Sequence, residues 1–173
     1  MLADFPECVD WKKLSSYKKL PLEFVERHLD AAWDGTELSA NPIITPDFVR
    51  KHIQYVGNLW CFRGMSRNPS ITEAFVIEFL DQLWDWNLLS TNPAITPEFI
   101  KKSLPCHWPC EPYEALSKNP SVTLEFIETH SEKEWDWAEL STHPALTADY
   151  VQRHLYKPWD WTTLVNRFQI RLK

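Results

Sequence analysis

The feature that most constrains this chain is a short internal repeat that runs through nearly its whole length. An aromatic residue at a predicted helix start recurs in steps of 24 or 27 residues, at Phe24, Phe48, Phe75, Phe99, Phe126 and Tyr150. A leucine, replaced once by methionine, recurs in the same two steps, at Leu14, Leu38, Met65, Leu89, Leu116, Leu140 and Leu164. Such a period is typical of stacked repeat arrays, so function is to be sought first on a surface.

Each repeat contains signals for two short helices. In Thr96-Pro97-Glu98-Phe99, the threonine can cap a helix that proline and glutamate favour at its first turn. Apolar residues four apart, such as Val25 and Leu29, predict an amphipathic helix of about two to three turns. The segment 85–90 predicts a second element capped by Asp85, either α or 3₁₀, which ends at Asn92-Pro93. The sequence therefore predicts an all-α solenoid of roughly 24-residue repeats, each with an α-helix and a second short α- or 3₁₀-helix.

The repeats also predict the domain organisation. We expect a single repeat domain over 1–173, with an N-terminal cap at 1–20, about six repeats over 21–161, and a C-terminal cap or tail at 162–173. The two 27-residue steps place insertions near 54–58 and 109–111. Both insertions fall at junctions between repeats, where we expect them to bulge on the surface.

Ten tryptophans are far more than a chain of 173 residues usually carries. Recurrence at fixed repeat positions favours a buried inter-repeat core over exposed stacking platforms. The predicted core tryptophans are Trp33, Trp60, Trp84, Trp86, Trp135, Trp137, Trp159 and Trp161. Two irregular positions are better candidates for function, because a regular core does not require them: Trp108, in an insertion, and Gly35, where the ring is missing.

Histidine and cysteine residues raise the question of a metal site. A histidine four residues after the repeat aromatic recurs at His28, His52, His130 and His154. Neighbouring repeats should lie about 9 Å apart, too far for a shared metal with ligands at about 2.3 Å, so we expect each imidazole to bond nearby backbone. The cluster Cys106-His107-Trp108-Pro109-Cys110 lacks the paired spacing of zinc sites. We therefore predict no metal and no cofactor.

Enzymatic activity is not predicted. Three glycines in the whole chain leave no glycine-rich phosphate loop, and no nucleophile elbow is present. The recurrent carboxylates, such as Asp34, Asp136 and Asp160, are explained as helix N-caps.

Charge is distributed unevenly along the chain. The formal net charge is −6, which argues against non-specific nucleic-acid binding. Between Glu111 and Asp149 there are nine acidic residues and two lysines, a net charge of −7. The chain contains no apolar run of about 18 residues, its start does not resemble a signal peptide, and its four cysteines do not suggest a disulfide framework. We expect an intracellular protein that does not bind membranes.

The phrase Leu-Ser-x-Asn-Pro-x-Ile-Thr-Pro-Glu-Phe, present at 89–99, resembles the leucine-rich variant repeat. The Trp-Asp-Trp form of the repeat is similar to the tryptophan-repeat proteins encoded by large DNA viruses of amoebae, the marseillevirus-like group. The resemblance covers roughly Asp10 to Trp161. It implies alternating α- and 3₁₀-helices in a right-handed superhelix and a viral origin, with host cytoplasm, viral factory, nucleus or virion as locations. It implies little about activity.

We therefore predict a non-enzymatic scaffold for protein–protein interaction with host or virion partners, and basic partners suit the acidic segment. The candidate interaction residues are Trp108, Tyr113, Glu111, Glu114, Tyr55, Asn58, Arg167 and Arg171. One alternative is a self-assembling structural or virion component, a homodimer formed through an end face or the basic segment 166–173. A more distant alternative is nucleic-acid binding through Lys12, Lys13, Lys18, Lys19, Arg167 and Arg171.

Overall fold

The computed structural model describes residues 9–54, 59–107 and 113–169, without the side chains of 104–107. Within these ranges the protein has thirteen α-helices and no strand, which confirms the all-α prediction. The chain divides into two compact units, Met1–Asp85 and Trp86–Lys173. The single repeat domain remains a prediction.

The helices fall into two classes that alternate along the chain. The aromatic helices carry the recurrent Phe or Tyr: α2 (Leu22–Arg27), α4 (Pro46–His52), α6 (Glu73–Glu78), α8 (Pro97–His107), α10 (Leu124–Thr129) and α12 (Ala148–Arg153). The leucine helices carry the recurrent Leu or Met: α1 (Trp11–Ser15), α3 (Gly35–Ala40), α5 (Phe62–Met65), α7 (Trp86–Thr91), α9 (Tyr113–Leu116), α11 (Trp137–Leu140) and α13 (Trp161–Phe168).

Helix starts follow the sequence signals closely. The hydroxyl oxygen of Thr123 accepts a hydrogen bond from the backbone N–H of Phe126 at 3.1 Å. The same cap occurs at four other aromatic helices, those that begin after Thr45, Thr72, Thr96 and Thr147. Asp10, Asp34, Asp136 and Asp160 cap leucine helices. Each of these caps satisfies backbone N–H groups that the first turn leaves without an intrahelical acceptor.

Most aromatic helices are shorter than predicted. All except α8 contain six or seven residues, which is about two turns at most. In α2 the chain leaves helical geometry at His28, with φ −130° and ψ 33°. The His28 carbonyl then accepts a hydrogen bond from the indole Nε1–H of Trp33 at 2.7 Å. The predicted partner of Val25, Leu29, therefore lies beyond the helix, and the tryptophan completes the helix end instead.

The second element of each repeat is an α-helix in the described residues, which resolves the choice between α and 3₁₀. It is as short as four residues in α5, α9 and α11. The C-terminal segment also forms a helix, α13, which ends at Gln169 in the left-handed conformation (φ 53°). This helix is longer than the other leucine helices, and the proline that follows α3, α5, α7, α9 and α11 is absent after it in the described residues.

A buried serine links five of the leucine helices, α1, α3, α5, α9 and α11, to the repeat that follows. The Ser117 hydroxyl donates to the Tyr113 carbonyl at 2.9 Å and accepts from the backbone N–H of Asp136 at 2.9 Å. Ser15, Ser66 and Ser141 make the same pair of bonds. Both partners of each hydroxyl are backbone groups, so the Leu-Ser signature is a hydrogen-bonding device as well as a packing one.

Candidate interaction surface

Several predicted contact residues lie outside the described residues, so their placement stays a prediction. They are Trp108, Glu111, Tyr55, Asn58 and Arg171. The side chains of Cys106 and His107 and all of Cys110 also lie outside, so the cysteine cluster is not tested. Three predicted contact residues are described: Tyr113, Glu114 and Arg167.

Tyr113 is part of the core, which corrects its interpretation as a surface contact. Its side chain is 4% exposed, and its ring packs edge-on against Trp135 with ring centroids 5.3 Å apart. Phe62 and Trp137 occupy the same repeat position and pack on Trp84 and Trp159 in the same way. Tyr113 is therefore the local form of a repeated joint. Its neighbour Glu114 is exposed and remains a candidate.

Arg167 also has a structural role that the sequence did not reveal. Its guanidinium donates to the backbone carbonyls of Ser141 at 3.2 Å and of Pro144 and Leu146 at 3.4 Å. In an earlier repeat of this unit, the Asn119 amide donates to the carbonyls of Ser90, Asn92 and Ile95, of which Ser90 and Ile95 occupy the repeat positions of Ser141 and Leu146. Arg167 thus replaces the repeat asparagine, and its donors are turned toward the protein instead of toward a nucleic acid or partner.

Most of the predicted core tryptophans are buried. Those no more than 8% exposed are Trp33, Trp60, Trp84, Trp135, Trp137 and Trp159. Trp86 and Trp161 are half-buried, which corrects their placement in the core. They are the first residues of α7 and α13, and in the described residues no tryptophan follows Trp161 to cover its ring as Trp159 covers that of Trp137.

Three of the four recurrent histidines bond to the backbone, as the sequence predicts. Nδ1 of His28, His130 and His154 lies 2.8, 2.9 and 2.8 Å from the carbonyl oxygen four residues earlier. His52 makes no such backbone bond among the described residues, and its Nε2 lies 3.3 Å from Glu26 Oε1 without hydrogen-bond alignment. Among the described residues no group of three or more His, Cys, Asp or Glu side chains could hold a metal ion.

Gly35, the other irregular position, is explained by close packing. A Cβ atom on Gly35 would lie 2.4 Å from the Leu59 carbonyl oxygen, and one on Gly64 would lie 2.4 Å from the Thr36 carbonyl oxygen. Gly35 in α3 therefore packs against the backbone that precedes α5, and Gly64 in α5 packs against the backbone of α3. Both approaches require a residue without a side chain. The missing ring at Gly35 is a requirement of this approach and does not indicate a binding site.

In the unit Met1–Asp85, several acidic side chains are paired across repeats. Glu26 bonds Lys51 at 2.5 Å, and Arg50 joins Asp47 and Glu78 at 2.7 Å each. The Lys51 bond lowers the pKa of Glu26, and the Glu78 bond raises the pKa of Arg50. Further pairs join Arg67 to Glu37 and Arg63 to Asp85. These ion pairs neutralise part of the acidic charge on this unit, and the exposed carboxylates of Glu23, Asp30 and Asp81 make no ion pair with any described residue.

In the unit Trp86–Lys173, many exposed carboxylates lack an ionic partner. Those that make no ion pair with any described residue are Glu98, Glu114, Glu125, Glu132, Glu134 and Asp149. Two contacts are present, Lys118 to Glu139 at 3.5 Å and His154 Nε2 to Glu128 at 3.4 Å, and the second is ionic when the histidine is protonated. This surface therefore carries uncompensated negative charge.

Two open grooves flank α10 on this acidic unit. The groove between α10 and α12, of about 260 Å³, is lined by Leu124, Glu125, Glu128, Thr129, Tyr150 and Arg153. The groove between α8 and α10, of about 310 Å³, is lined by Glu98, Lys101, Thr123, Glu125, Phe126, Thr129 and His130. Glu125 and Thr129 border both grooves, so α10 forms a ridge with carboxylates on each side.

Tyr150 lines the first of these grooves, and its side chain is buried. The residue is 2% exposed, and its ring stacks on His154 with centroids 4.3 Å apart. Its hydroxyl oxygen makes no hydrogen bond of ordinary geometry with any described residue, although the Glu128 carboxylate is close enough to interact with it. Burial, and then the nearby carboxylate of Glu128, raise the pKa of Tyr150 well above its usual value. Sequence reasoning missed this residue, although it is the one tyrosine in a column of phenylalanines.

The chain matches no known protein-family model, no curated protein and no solved structure. No helix in the described ranges is long and apolar enough to cross a membrane.

Proposed function

We propose that this protein is a non-enzymatic repeat scaffold that binds a basic protein partner through the exposed acidic surface of the unit Trp86–Lys173. The observation that carries this proposal is the set of exposed carboxylates without ionic partners among the described residues, which includes Glu125, Glu132 and Glu134. Charge of one sign on a surface attracts partners of the opposite sign and raises the rate of association.

The internal bonding of the repeats supports a scaffold. Within each unit, side chains at the repeat positions connect one repeat to the next by the same hydrogen bonds, as at Asn68 and Asn119. We infer a solenoid from this recurrence, since repeat arrays are sums of such nearest-neighbour interfaces. The likeness to viral tryptophan-repeat proteins makes host and virion proteins the first partners to test.

The recurrent polar residues support a non-enzymatic role because they already have structural partners. The caps Asp136 and Asp160 accept from backbone N–H groups, and hydrogen bonds from Thr163 lower the pKa of Asp160. The histidines His28 and His154 bond backbone carbonyls. A catalytic acid or base would instead need a free proton-transfer position facing a substrate.

A charge-reversal pair tests the proposal. Glu132→Lys with Glu134→Lys removes acidic charge from the proposed surface, while Asp30→Lys with Asp81→Lys makes the same change in the other unit. Asp30, Asp81 and Glu132 lie three residues before Trp33, Trp84 and Trp135, and all are exposed. We expect a fluorescent lysine- and arginine-rich peptide to bind the wild type in fluorescence anisotropy. Binding should be about tenfold weaker for the Glu132→Lys, Glu134→Lys variant and unchanged for the Asp30→Lys, Asp81→Lys variant.

Equal weakening by both pairs would contradict a localised surface, and no binding at low salt would contradict a basic partner. Light scattering after size-exclusion chromatography tests the self-assembly alternative: a dimer that dissociates in the first pair would assign this surface to contact between copies instead. Retention on DNA or RNA that weakens with salt would favour the nucleic-acid alternative.

A further inference from the structure

The Tyr150 hydroxyl is not required by the packing of the repeat. At the five equivalent positions the residue is phenylalanine: Phe24, Phe48, Phe75, Phe99 and Phe126. The tyrosine ring makes the same contacts as those rings, stacking on His154 as Phe126 stacks on His130 and packing edge-on against Trp159. The oxygen atom is therefore an addition to a complete packing arrangement.

Folding alone disfavours this hydroxyl. A buried polar group without a hydrogen bond loses its hydration and gains nothing in return. Tyr150 is 2% exposed, and its oxygen has no hydrogen-bond partner among the described residues. Phenylalanine would avoid this cost at no loss of packing. A ligand that reaches the hydroxyl through the groove would supply the missing hydrogen bond.

The groove beside Tyr150 has the chemistry of a site for a long cationic side chain. Its lining is predominantly apolar, and it carries the carboxylates of Glu125 and Glu128. An aliphatic stem can pack on apolar walls while its charged end reaches polar groups. At about 260 Å³ the groove is smaller than typical small-molecule pockets, which begin at roughly 300 Å³, so a single side chain suits it better than a whole ligand.

The groove's own cation does not satisfy these carboxylates. The Arg153 guanidinium lies over the Tyr150 ring, 5.6 Å from its centroid, and makes no ion pair with any described residue. The Arg153 guanidinium therefore occupies the ring face on which an arginine side chain of a partner would otherwise stack. The acceptors that remain are the two carboxylates and the Tyr150 oxygen. Three acceptors match the three N–H groups of an ammonium.

We propose that the groove between α10 and α12 binds a lysine side chain of the protein partner, with Glu125, Glu128 and the Tyr150 hydroxyl oxygen accepting from its ammonium group. Two carboxylates and the Arg153 guanidinium give these side chains a net charge of −1, which the ammonium neutralises. This inference rests on the proposed function and adds to it a residue type and a place on the acidic surface.

Tyr150→Phe is the sharpest test, because it removes the oxygen and leaves the residue found in the other repeats. The probe is a glycine–serine peptide with blocked ends and one central lysine, titrated into the ¹⁵N-labelled full chain. We expect the amide signals of α10 and α12 to shift, with binding weakened about fivefold by Tyr150→Phe and about tenfold by Glu128→Gln. The melting temperature of Tyr150→Phe should equal or exceed that of the wild type.

Glu26→Gln is the matched control. Glu26 occupies the repeat position of Glu128 and likewise faces a histidine, but Lys51 already bonds its carboxylate. We expect this variant to bind the lysine peptide as the wild type does. A peptide with arginine in place of lysine should bind more weakly, and a peptide with norleucine should not bind.

Three results would overturn the inference. Unchanged lysine-peptide binding by Tyr150→Phe would remove the hydroxyl from the site, and a lowered melting temperature for that variant would assign the hydroxyl to folding. Equal binding of the arginine peptide would replace the ammonium site with a general cation site. If the lysine- and arginine-rich peptide still binds the wild type, these failures leave the proposed function standing. If that peptide does not bind either, the proposed function fails as well.

Discussion

Single polar side chains connect one repeat to the next within each unit. The Asn68 amide donates to the carbonyls of Ser39 at 3.0 Å and of Asn41 and Ile44 at 2.9 Å. Asn68 is fully buried, so these carbonyls have no access to water as an alternative donor. The asparagine of the Asn-Pro phrase thus does more than end a helix: it satisfies the backbone of the preceding repeat.

Replacing Asn68 by alanine should therefore be costly. We expect Asn68→Ala to lower the free energy of unfolding by about 3 kcal/mol, since it leaves buried carbonyls without a donor. Urea unfolding followed by circular dichroism measures the change. Asn87→Ala is the control, because Asn87 is exposed in α7 and alanine has the higher helix propensity. Equal stability of Asn68→Ala and the wild type would show that water replaces the amide.

The sequence predicted some residue roles and missed others for identifiable reasons. Threonine and aspartate caps act within a few residues of their own position, so local signals were sufficient. The partners of Asn68, Arg167 and Gly35 lie about one repeat away in sequence. The Tyr150 hydroxyl could have been noticed from its column of phenylalanines, but its missing hydrogen bond is a property of the folded environment.

At the scale of the element, the aromatic helices α6, α10 and α12 each have a side-chain cap at both ends. In α10, Thr123 caps the start, and the indole Nε1–H of Trp135 donates to the carbonyl of the C-cap residue His130 at 2.9 Å. Helices this short are not stable alone, because the free energy needed to form the first turn exceeds what the hydrogen bonds of one or two turns provide. The tryptophan therefore sets helix length as well as packing, which is why the predicted helices were too long.

The threonine cap can be tested separately from packing. Thr123→Ala should lower the free energy of unfolding by about 1 kcal/mol, because the Phe126 N–H loses its acceptor. Thr123→Ser should retain most of the stability, since serine supplies the same oxygen. Thr162→Ala serves as the control, as Thr162 is exposed in the first turn of α13. If Thr123→Ala and Thr162→Ala have the same stability in thermal unfolding, tertiary contacts alone hold the start of the helix.

At the scale of the whole molecule, both units carry exposed carboxylates without ionic partners among the described residues, and ion pairs are more numerous in Met1–Asp85. Met1–Asp85 contains pairs such as Glu26 with Lys51 and Arg50 with Glu78. Trp86–Lys173 contains Glu125, Glu132 and Glu134 without such partners among the described residues. Repulsion between like charges opposes folding, and salt screens it over about 10 Å at an ionic strength of roughly 0.1 M.

This distribution predicts that sodium chloride stabilises the protein. We expect the melting temperature to rise by a few degrees between low and moderate ionic strength, because screening relieves repulsion among the acidic residues more than it weakens exposed ion pairs. Calorimetry measures the shift. The double variant Glu132→Gln, Glu134→Gln should show a smaller rise in melting temperature with salt. The double variant Asp30→Asn, Asp81→Asn should change this rise less. A melting temperature that falls with salt would mean that the ion pairs dominate.

The sequence by itself determined the repeat, the all-α class and most helix starts, because periodicity and capping are local properties of the chain. Only the tertiary structure decided which side chains are satisfied by a neighbouring repeat and which are left exposed. It placed Tyr113 in the core, turned Arg167 toward backbone carbonyls and left Trp161 half-buried. It also left the Tyr150 hydroxyl without a hydrogen bond of ordinary geometry to any residue that the structure describes. Burial and hydrogen-bond satisfaction depend on groups about one repeat apart, and a local pattern does not specify that distance.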